Sequence, residues 1–187
     1  MKLVTKRLIL REGRDKDVKE IVKVCNDKDI FLYTARISYP YTLRYAKNWI
    51  KLTKKEKTKK PRTDYTFLIE LKETGKVIGS IGLHRISRIH KKASIGYWLG
   101  KEYRRKGYMK EAEERILEFA FNKLKLNKVY GEAVVENKAS NKLFKRFGFR
   151  KVGRKEEELI KNNKKLGIKE LKQDTYLWEL LKKNWKK

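Results

Sequence analysis

The stretch from Ala93 to Glu111 constrains this fold more than any other, because a strand, a basic loop and a helix start follow one another without a break. Ile95 to Leu99 is rich in β-branched and aromatic residues, the composition of a half-buried strand. A basic loop follows, Arg104-Arg105-Lys106-Gly107, with one internal glycine. Behind it Met109, Ala112, Ile116, Leu117, Ala120, Phe121 and Leu124 recur at helical spacing. Such an arrangement is built to hold phosphates. The unpaired amides of the first helical turn point at the ligand, and the helix dipole favours negative charge there. Arg104, Arg105 and Lys106 add charged donors to that backbone nest.

Charge bounds the partners. Of 187 residues, 51 are Lys or Arg and 23 are Asp or Glu, a formal net charge of +28 spread along the chain. Such a field attracts nucleic acid, ribosomes, anionic cofactors or acidic proteins, and repels free polycations. Lysine enrichment is also a habit of some high-temperature proteomes, and on composition alone both readings stand. Although 40% of residues are charged, the 40% that are apolar fall in periodic runs, which points to one folded α/β domain over residues 1–187. The single cysteine, Cys25, excludes an intramolecular disulfide and sits in the apolar rhythm of Val18, Ile21 and Val22, a buried position rather than a nucleophile. With only two histidines, no metal is expected. No apolar run approaches the roughly 20 residues of a membrane span. The chain enters a strand pattern directly, without a signal-peptide core, so a cytoplasmic protein with no membrane partner is expected.

In chain order, Thr5–Arg11 reads as a strand, and Asp15 as the cap of a helix through Asn26. Ile30–Thr42 reads as an aromatic loop around Pro40, and Leu43–Lys54 as a helix burying Tyr45, Ala46, Trp49, Ile50 and Leu52. Lys54–Arg62 reads as a solvated lysine-dense loop. Tyr65–Leu71 and Lys76–Ile86 are strands around the hairpin signal Glu73-Thr74-Gly75. After the long helix, Lys128–Val135 is a strand and Asn137–Phe147 a short helix closed by Gly148. Phe149–Val152 starts a strand, Arg154–Gln173 reads as a charged connector, and Thr175–Leu181 closes as a strand.

The loop Arg104-Arg105-Lys106-Gly107-Tyr108-Met109 resembles the acetyl-CoA pyrophosphate loop of the GNAT acetyltransferases. Ile95-Gly96-Tyr97-Trp98-Leu99 before it, and Asn137-x-x-Ser140-x-x-x-Phe144-x-x-x-Gly148-Phe149 after it, match the same family in order and distance. Thr5-x-Arg7-Leu8-x-Leu10-Arg11 and Tyr39-Pro40-Tyr41-Thr42 are similar to the branch that holds ribosomal-protein N-terminal acetyltransferases. The resemblance covers nearly the whole chain. It implies a mixed, curved sheet flanked by helices, with the strands Ile95–Leu99 and Val129–Val135 splayed to admit the pantetheine arm. Main-chain groups of Tyr97, Trp98 and Leu99 would pair with pantetheine and polarise the thioester carbonyl. The loop from Arg104 to Met109 would cradle the pyrophosphate, and Asn137, Asn141 and Phe144 would border the pantetheine or thioester end. Arg105 and Met109 depart from the small residues usual in that loop, and a left-handed backbone is costly for residues with a Cβ.

The same resemblance implies direct attack by a primary amine in a ternary complex with acetyl-CoA. Many members use a tyrosine to protonate the leaving thiolate, but here Phe144 stands in its place. Ser140, one turn earlier, matches the serine acid proposed for the ribosomal-protein branch; a capping or surface hydroxyl is the other reading. A thiol has a pKa of about 8.5, so the acid needs little driving force. For the base, His84 lies at a strand end on one face with Ser80 and Gly82, where it also reads as a histidine bonding backbone. Glu132 is the second candidate, either catalytic or paired to a lysine. Tyr33, Arg36, Tyr39 and Tyr41 offer an acceptor wall, or else packing over the sheet edge. The acceptor expected is a protein N-terminus, such as that of a ribosomal protein, with the basic surface holding the enzyme near RNA as a monomer or homodimer. A small-molecule amine acetyltransferase and a non-catalytic RNA- or ribosome-binding protein are the alternatives.

Overall fold

Two apolar faces on one sheet organise the chain. In the computed structural model, which describes residues 1–186, the strands are β1 (Lys2–Val4), β2 (Leu8–Arg11), β3 (Tyr65–Leu71), β4 (Val77–Ser87), β5 (Lys92–Leu99), β6 (Lys128–Val134), β7 (Arg150–Asn163) and β8 (Ile168–Leu181). They form a single eight-stranded sheet in the order β1-β2-β3-β4-β5-β6-β8-β7. All neighbours run antiparallel except β5 and β6, which are parallel. The helices are α1 (Val18–Cys25), α2 (Lys28–Tyr33), α3 (Leu43–Thr58), α4 (Tyr108–Glu118) and α5 (Lys138–Arg146).

Alternation along the strands sends Leu8, Leu10, Phe67, Ile81, Leu83, Ile95 and Tyr97 to one face, where α4 packs through Met109, Ala112, Ile116 and Leu117. The other face receives α1 and α3 through Val18, Ile21, Ala46 and Ile50, with Trp98 at its border. Arg11, 5% exposed, holds β2 to the turn before α1 by a bidentate pair with Asp17 (2.7 and 2.8 Å) and a third bond to Glu70. Caps define the helix starts: Asp27 accepts from Asp29 N at α2, and Thr42 from Tyr45 N at α3. Cys25 is buried on α1, and burial pushes its thiol far above the usual range.

Five readings change. Thr5–Arg11 is not one strand: Thr5 turns the chain between β1 and β2, its amide bonding Leu8 O at 3.0 Å. The aromatic loop begins with the short helix α2, and α3 runs on through the lysine-dense stretch to Thr58, since Lys and Glu are good helix formers. The helix after Gly107 ends as α at Glu118 and adds a π-helical turn over Phe119–Lys123. The charged connector Arg154–Gln173 is the body of a long β7–β8 hairpin. Most of its residues outside the base are exposed, so it carries no apolar alternation to read.

Candidate active site

The parallel pairing of β5 with β6 lasts three residues, Lys92–Ser94 against Lys128–Tyr130. Beyond it β6 stays with β8 as far as Val134 and β5 stays with β4 as far as Leu99. Ile95 to Leu99 therefore present main-chain groups to a gap with no strand on its far side, and buried backbone groups demand partners. A cavity of about 900 Å³ fills this gap, lined by Ile95–Leu99, the loop after β5, the starts of α4 and α5, and Tyr33 and Thr34 at the end of α2.

The loop is held in shape by side chains, not by glycine alone. Arg104 donates to Leu99 O (3.1 Å), to Asp29 (2.6 Å) and to Asp27 (2.5 Å), so its guanidinium is committed to bracing β5 against α2. Arg105 adopts φ +63°, the left-handed region, with its side chain exposed. Gly107, φ +78°, precedes the first turn of α4, whose first intrahelical bond is Glu111 N to Gly107 O. The amides of Tyr108, Met109 and Lys110 thus face the cavity end as the orphan donors of a helix start. Met109 is buried, Lys106 is exposed, and only Lys106 of the loop residues named above does not line the cavity.

Arg7 clamps this loop from β2's side of the sheet. Its Nε meets Glu111 at 2.7 Å, its Nη1 donates to Lys106 O at 3.0 Å, and its guanidinium lies 4.5 Å over the Tyr108 ring. Thr5 Oγ1 donates to the same Glu111 carboxylate (2.6 Å). Burial works to raise the Glu111 carboxyl, but the bonds from Thr5 and Arg7 outweigh it and hold it below the usual range. Thr5-x-Arg7 was legible only as a motif; its work is to fix the loop.

At the start of α5, Asn137 is the cap, its Oδ1 accepting from Ser140 N at 3.1 Å. Ser140 and Phe144 line the cavity, with the Phe144 ring against Tyr97 (6.0 Å) and Trp178 (5.9 Å). The Tyr97 hydroxyl is buried and has no hydrogen-bond partner among the described residues. Burial, and then the field of Glu113, pushes its phenol well above the usual value, with Ser140 acting the other way. Asn141 does not border the cavity. Its Nδ2 donates to Val134 O, Val135 O and Asn137 O, and its Oδ1 accepts from Trp178 Nε1 at 2.9 Å. All its polar capacity is spent joining β6, α5 and β8, so the pantetheine contact expected of it is corrected.

On the opposite face of β4 and β5, His84 Nδ1 lies 2.8 Å from Asp64 Oδ1. The His84 hydrogen bond holds the Asp64 carboxyl below its usual range. A carboxylate at Nδ1 selects the tautomer whose Nε2 is a free acceptor. The ring lies over the paired glycines 82 and 96: a Cβ on Gly82 would sit 2.9 Å from Nε2, and one on Gly96 would sit 3.5 Å from Cδ2. A side chain at Gly82 would meet Tyr65 O at 2.7 Å as well as the imidazole, whereas one at Gly96, which lines the cavity, would rest against the ring in ordinary van der Waals contact. Glu132 lines the cavity too, but is paired to Lys155 at 2.8 Å.

The aromatic segment divides. Tyr33 lines the cavity; Tyr41 is 7% exposed in the core with α1 and α3, so its place in an acceptor wall is corrected. Arg36 is exposed and Tyr39 half-buried, and neither borders the cavity. The β7–β8 hairpin reaches this segment, which the sequence did not signal. Lys161 donates to Thr34 O and sits 4.8 Å over the Phe31 ring, while Asn163 donates to Tyr39 O. Among the described residues, no cluster of His, Cys, Asp and Glu could hold a metal ion, and no helix is long and apolar enough to cross a membrane.

Comparison with known proteins meets this geometry. The family model described as an acetyltransferase (GNAT) domain matches residues 7–150. The chain is 33% identical over 111 residues to YdaF of Bacillus subtilis, provisionally named a ribosomal N-acetyltransferase; the match covers 59% of this chain and 57% of YdaF. The crystal structure of a ribosomal-protein-S5-alanine acetyltransferase from Vibrio fischeri superposes with a TM-score of 0.81 at 20% identity, covering 100% of both chains. A spermidine N-acetyltransferase from Vibrio cholerae, solved with CoA and spermine, gives 0.78 at 24% identity, over 95% of this chain and 97% of that one.

Proposed function

The chain belongs to the GNAT acetyltransferase family, and from that premise we propose that it transfers the acetyl group of acetyl-CoA to a primary amine, the α-amine of a protein N-terminus such as that of a ribosomal protein. The observation that carries this reading is the gap between β5 and β6 opening onto the start of α4. The unpaired edge of Ile95–Leu99 fits an amide-bearing arm, and the orphan amides of α4 fit a pyrophosphate. Acetyl-CoA supplies the activated thioester. Gly107, Tyr108 and Met109 hold the anion through their main chain, Arg105 offers its exposed guanidinium, and Phe144 closes the floor.

The chain's own groups then divide the proton work. His84, fixed by Asp64, accepts a proton from the ammonium form of the acceptor at Nε2, directly or through water. An α-amine has a pKa of about 7.7–8.0, so a neutral imidazole is base enough. Ser140 holds its proton for the sulfur from the cavity's other side. Tyr33, with the hairpin tip joined to Thr34 and Tyr39, borders the entry of the acceptor. Glu132, neutralised by Lys155, is assigned no step. All these residues lie in one domain, taken to span residues 1–187.

A protein acceptor is preferred to a free polyamine because a net charge of +28 repels polycations, and the same field favours residence near ribosomal RNA. Calorimetry with CoA at low salt, followed by thiol release with panels of N-terminal peptides and small amines, tests the proposal. CoA binding with turnover of peptides is expected. Absence of CoA binding overturns the enzyme reading, and turnover of polyamines alone overturns the acceptor.

A further inference from the structure

Charges on the α1–α3 side of the sheet are sorted in a way that folding alone does not ask for. α1 and α3 pack on each other through Val18, Ile21, Ala46 and Ile50, and their outer sides leave a groove of about 560 Å³. Asp15, Lys16, Val18, Lys19, Leu43 and Lys47 line it. Asp15, the one carboxylate of that lining, is spent on Lys54 at 2.7 Å. The acids around the groove are spent as well: Glu12 on the N-terminal ammonium, Lys57 and Arg62, Asp17 on Arg11, and Glu56 on Lys59. Glu20 acts on Tyr103. By contrast Lys16, Lys19, Lys47 and Lys51 are exposed, and none of them meets a carboxylate among the described residues.

These four ammonium groups stand in two rows. Lys16 and Lys19 flank the start of α1, and Lys47 and Lys51 lie one turn apart on α3, about 6 Å along its axis. The apolar floor between them is Val18 and Leu43 alone. That is too little for a partner helix, which would ask for a stripe of anchors at i, i+3, i+4 and i+7. Rows of unpaired cations over a thin floor suit a phosphodiester backbone. We propose that the α1–α3 groove docks the protein on RNA, with Lys16, Lys19, Lys47 and Lys51 holding the phosphates of one strand. This deepens, and rests on, the reading that the basic field places the protein near ribosomal RNA. Lysine meets phosphate as a point charge, so the contact carries no base sequence. The groove lies on the face of the sheet that holds Trp98, away from α4, so RNA and CoA do not compete. From the groove α1 runs about 12 Å before Asn26 and Asp27 lead into α2, whose Asp29, Ile30 and Tyr33 line the cavity.

Fluorescence anisotropy of the full chain with labelled oligouridine, over a salt series, tests this. Lys16→Gln, Lys19→Gln and Lys47→Gln together should weaken binding by roughly 10–10²-fold at ~0.1 M salt. They should also flatten the slope of log K against log salt by about 2, since each lost single-strand phosphate contact removes about 0.7. A control makes the same change of charge elsewhere: Lys72→Gln, Lys76→Gln and Lys123→Gln, all exposed, should keep the wild-type slope. CoA affinity should be unchanged in the groove variant, which shows that it folds. Equal losses in the two triple variants mean a diffuse field and overturn the proposal, as does wild-type RNA binding by the groove variant. Tighter binding of an oligoglutamate of equal charge, lost in the groove variant, assigns the groove to an acidic protein and also overturns it. A wild-type protein that binds no oligouridine fails residence near RNA along with this inference, whereas one that binds RNA as expected but no CoA fails the enzyme reading alone.

Discussion

Arg105→Gly separates what the phosphate loop costs from what it does. Arg105 holds φ +63° with an exposed side chain, and no hydrogen bond or ion pair engages its guanidinium among the described residues. A left-handed backbone costs a residue with a Cβ about 1–2 kcal/mol. Glycine removes that cost but loosens the unfolded chain by about 0.4–1 kcal/mol. The net is a stabilisation of about 0–1.5 kcal/mol, read as a rise of up to about 5 °C in midpoint for a chain this long. Binding should move the other way. An exposed charge-assisted contact to phosphate is worth about 0.2–1 kcal/mol, so CoA should bind about 1.4- to fivefold more weakly, and the deficit should shrink with added salt. Arg105→Ala is the control: the charge goes and the strain stays, so CoA weakens equally while the midpoint does not rise. Thermal melts of the CoA-free protein and low-salt calorimetry measure both. A lower midpoint for the glycine variant, or unchanged CoA affinity in both, refutes the account of this residue.

Three further outcomes are expected. Ser140→Ala should lower kcat by about 10²-fold with CoA affinity nearly unchanged, because the hydroxyl donates while the Asn137 cap bonds only the Ser140 amide; a wild-type rate removes Ser140 from the chemistry. Asp64→Asn should lower kcat/KM by disordering the His84 tautomer, and should flatten acid unfolding. The Asp64 carboxyl is held low by His84, so its contribution to stability is present above its unfolded pKa of about 3.9 and is lost as pH falls through the lower folded value. Asn141→Ala should cost roughly 3 kcal/mol in denaturant melts, since it orphans the Trp178 indole N–H and uncovers carbonyls at the end of β6.

Local chemistry made part of this protein legible. The strand, basic loop and helix start from Ile95 to Met109 each announce themselves within a few residues, and the structure keeps them in that order. Asn137 was visible as the opening of a helix for the same reason: a cap acts on amides two or three positions away. Asn141 was misplaced because its partners, Val134, Val135 and Trp178, are supplied by other elements, and no spacing rule says which way an asparagine on a short helix will turn. The body of the hairpin, Arg154 to Gln173, escaped although both its ends read as strands, because exposed charged strands carry no apolar period. Asp64 was missed as a lone carboxylate before a strand; only the sheet brings it to His84, twenty residues on.

The register of β4 against β5 adds a constraint that no single residue carries. Gly82 pairs with Gly96 and Ser80 with Trp98, so His84 shares the face of Trp98, while Tyr97 shares the face of α4 with Glu113. The proposed base and the proposed acid therefore stand on opposite sides of one sheet, and a continuous sheet would keep them apart. Under the proposed function, the early divergence of β5 from β6 would let the two meet: Ser140 and Gly96 line the gap that begins after Ser94 and Tyr130, and His84 stands against Gly96 without itself lining it. A shift of one residue in the β4–β5 register would exchange the faces of Tyr97 and Trp98 and dismantle both halves together. A Cβ at Gly82 would come within 2.9 Å of the imidazole Nε2, so a side chain at Gly82 should impair turnover more than CoA binding, and equal losses in the two would show that the base does not work from this face.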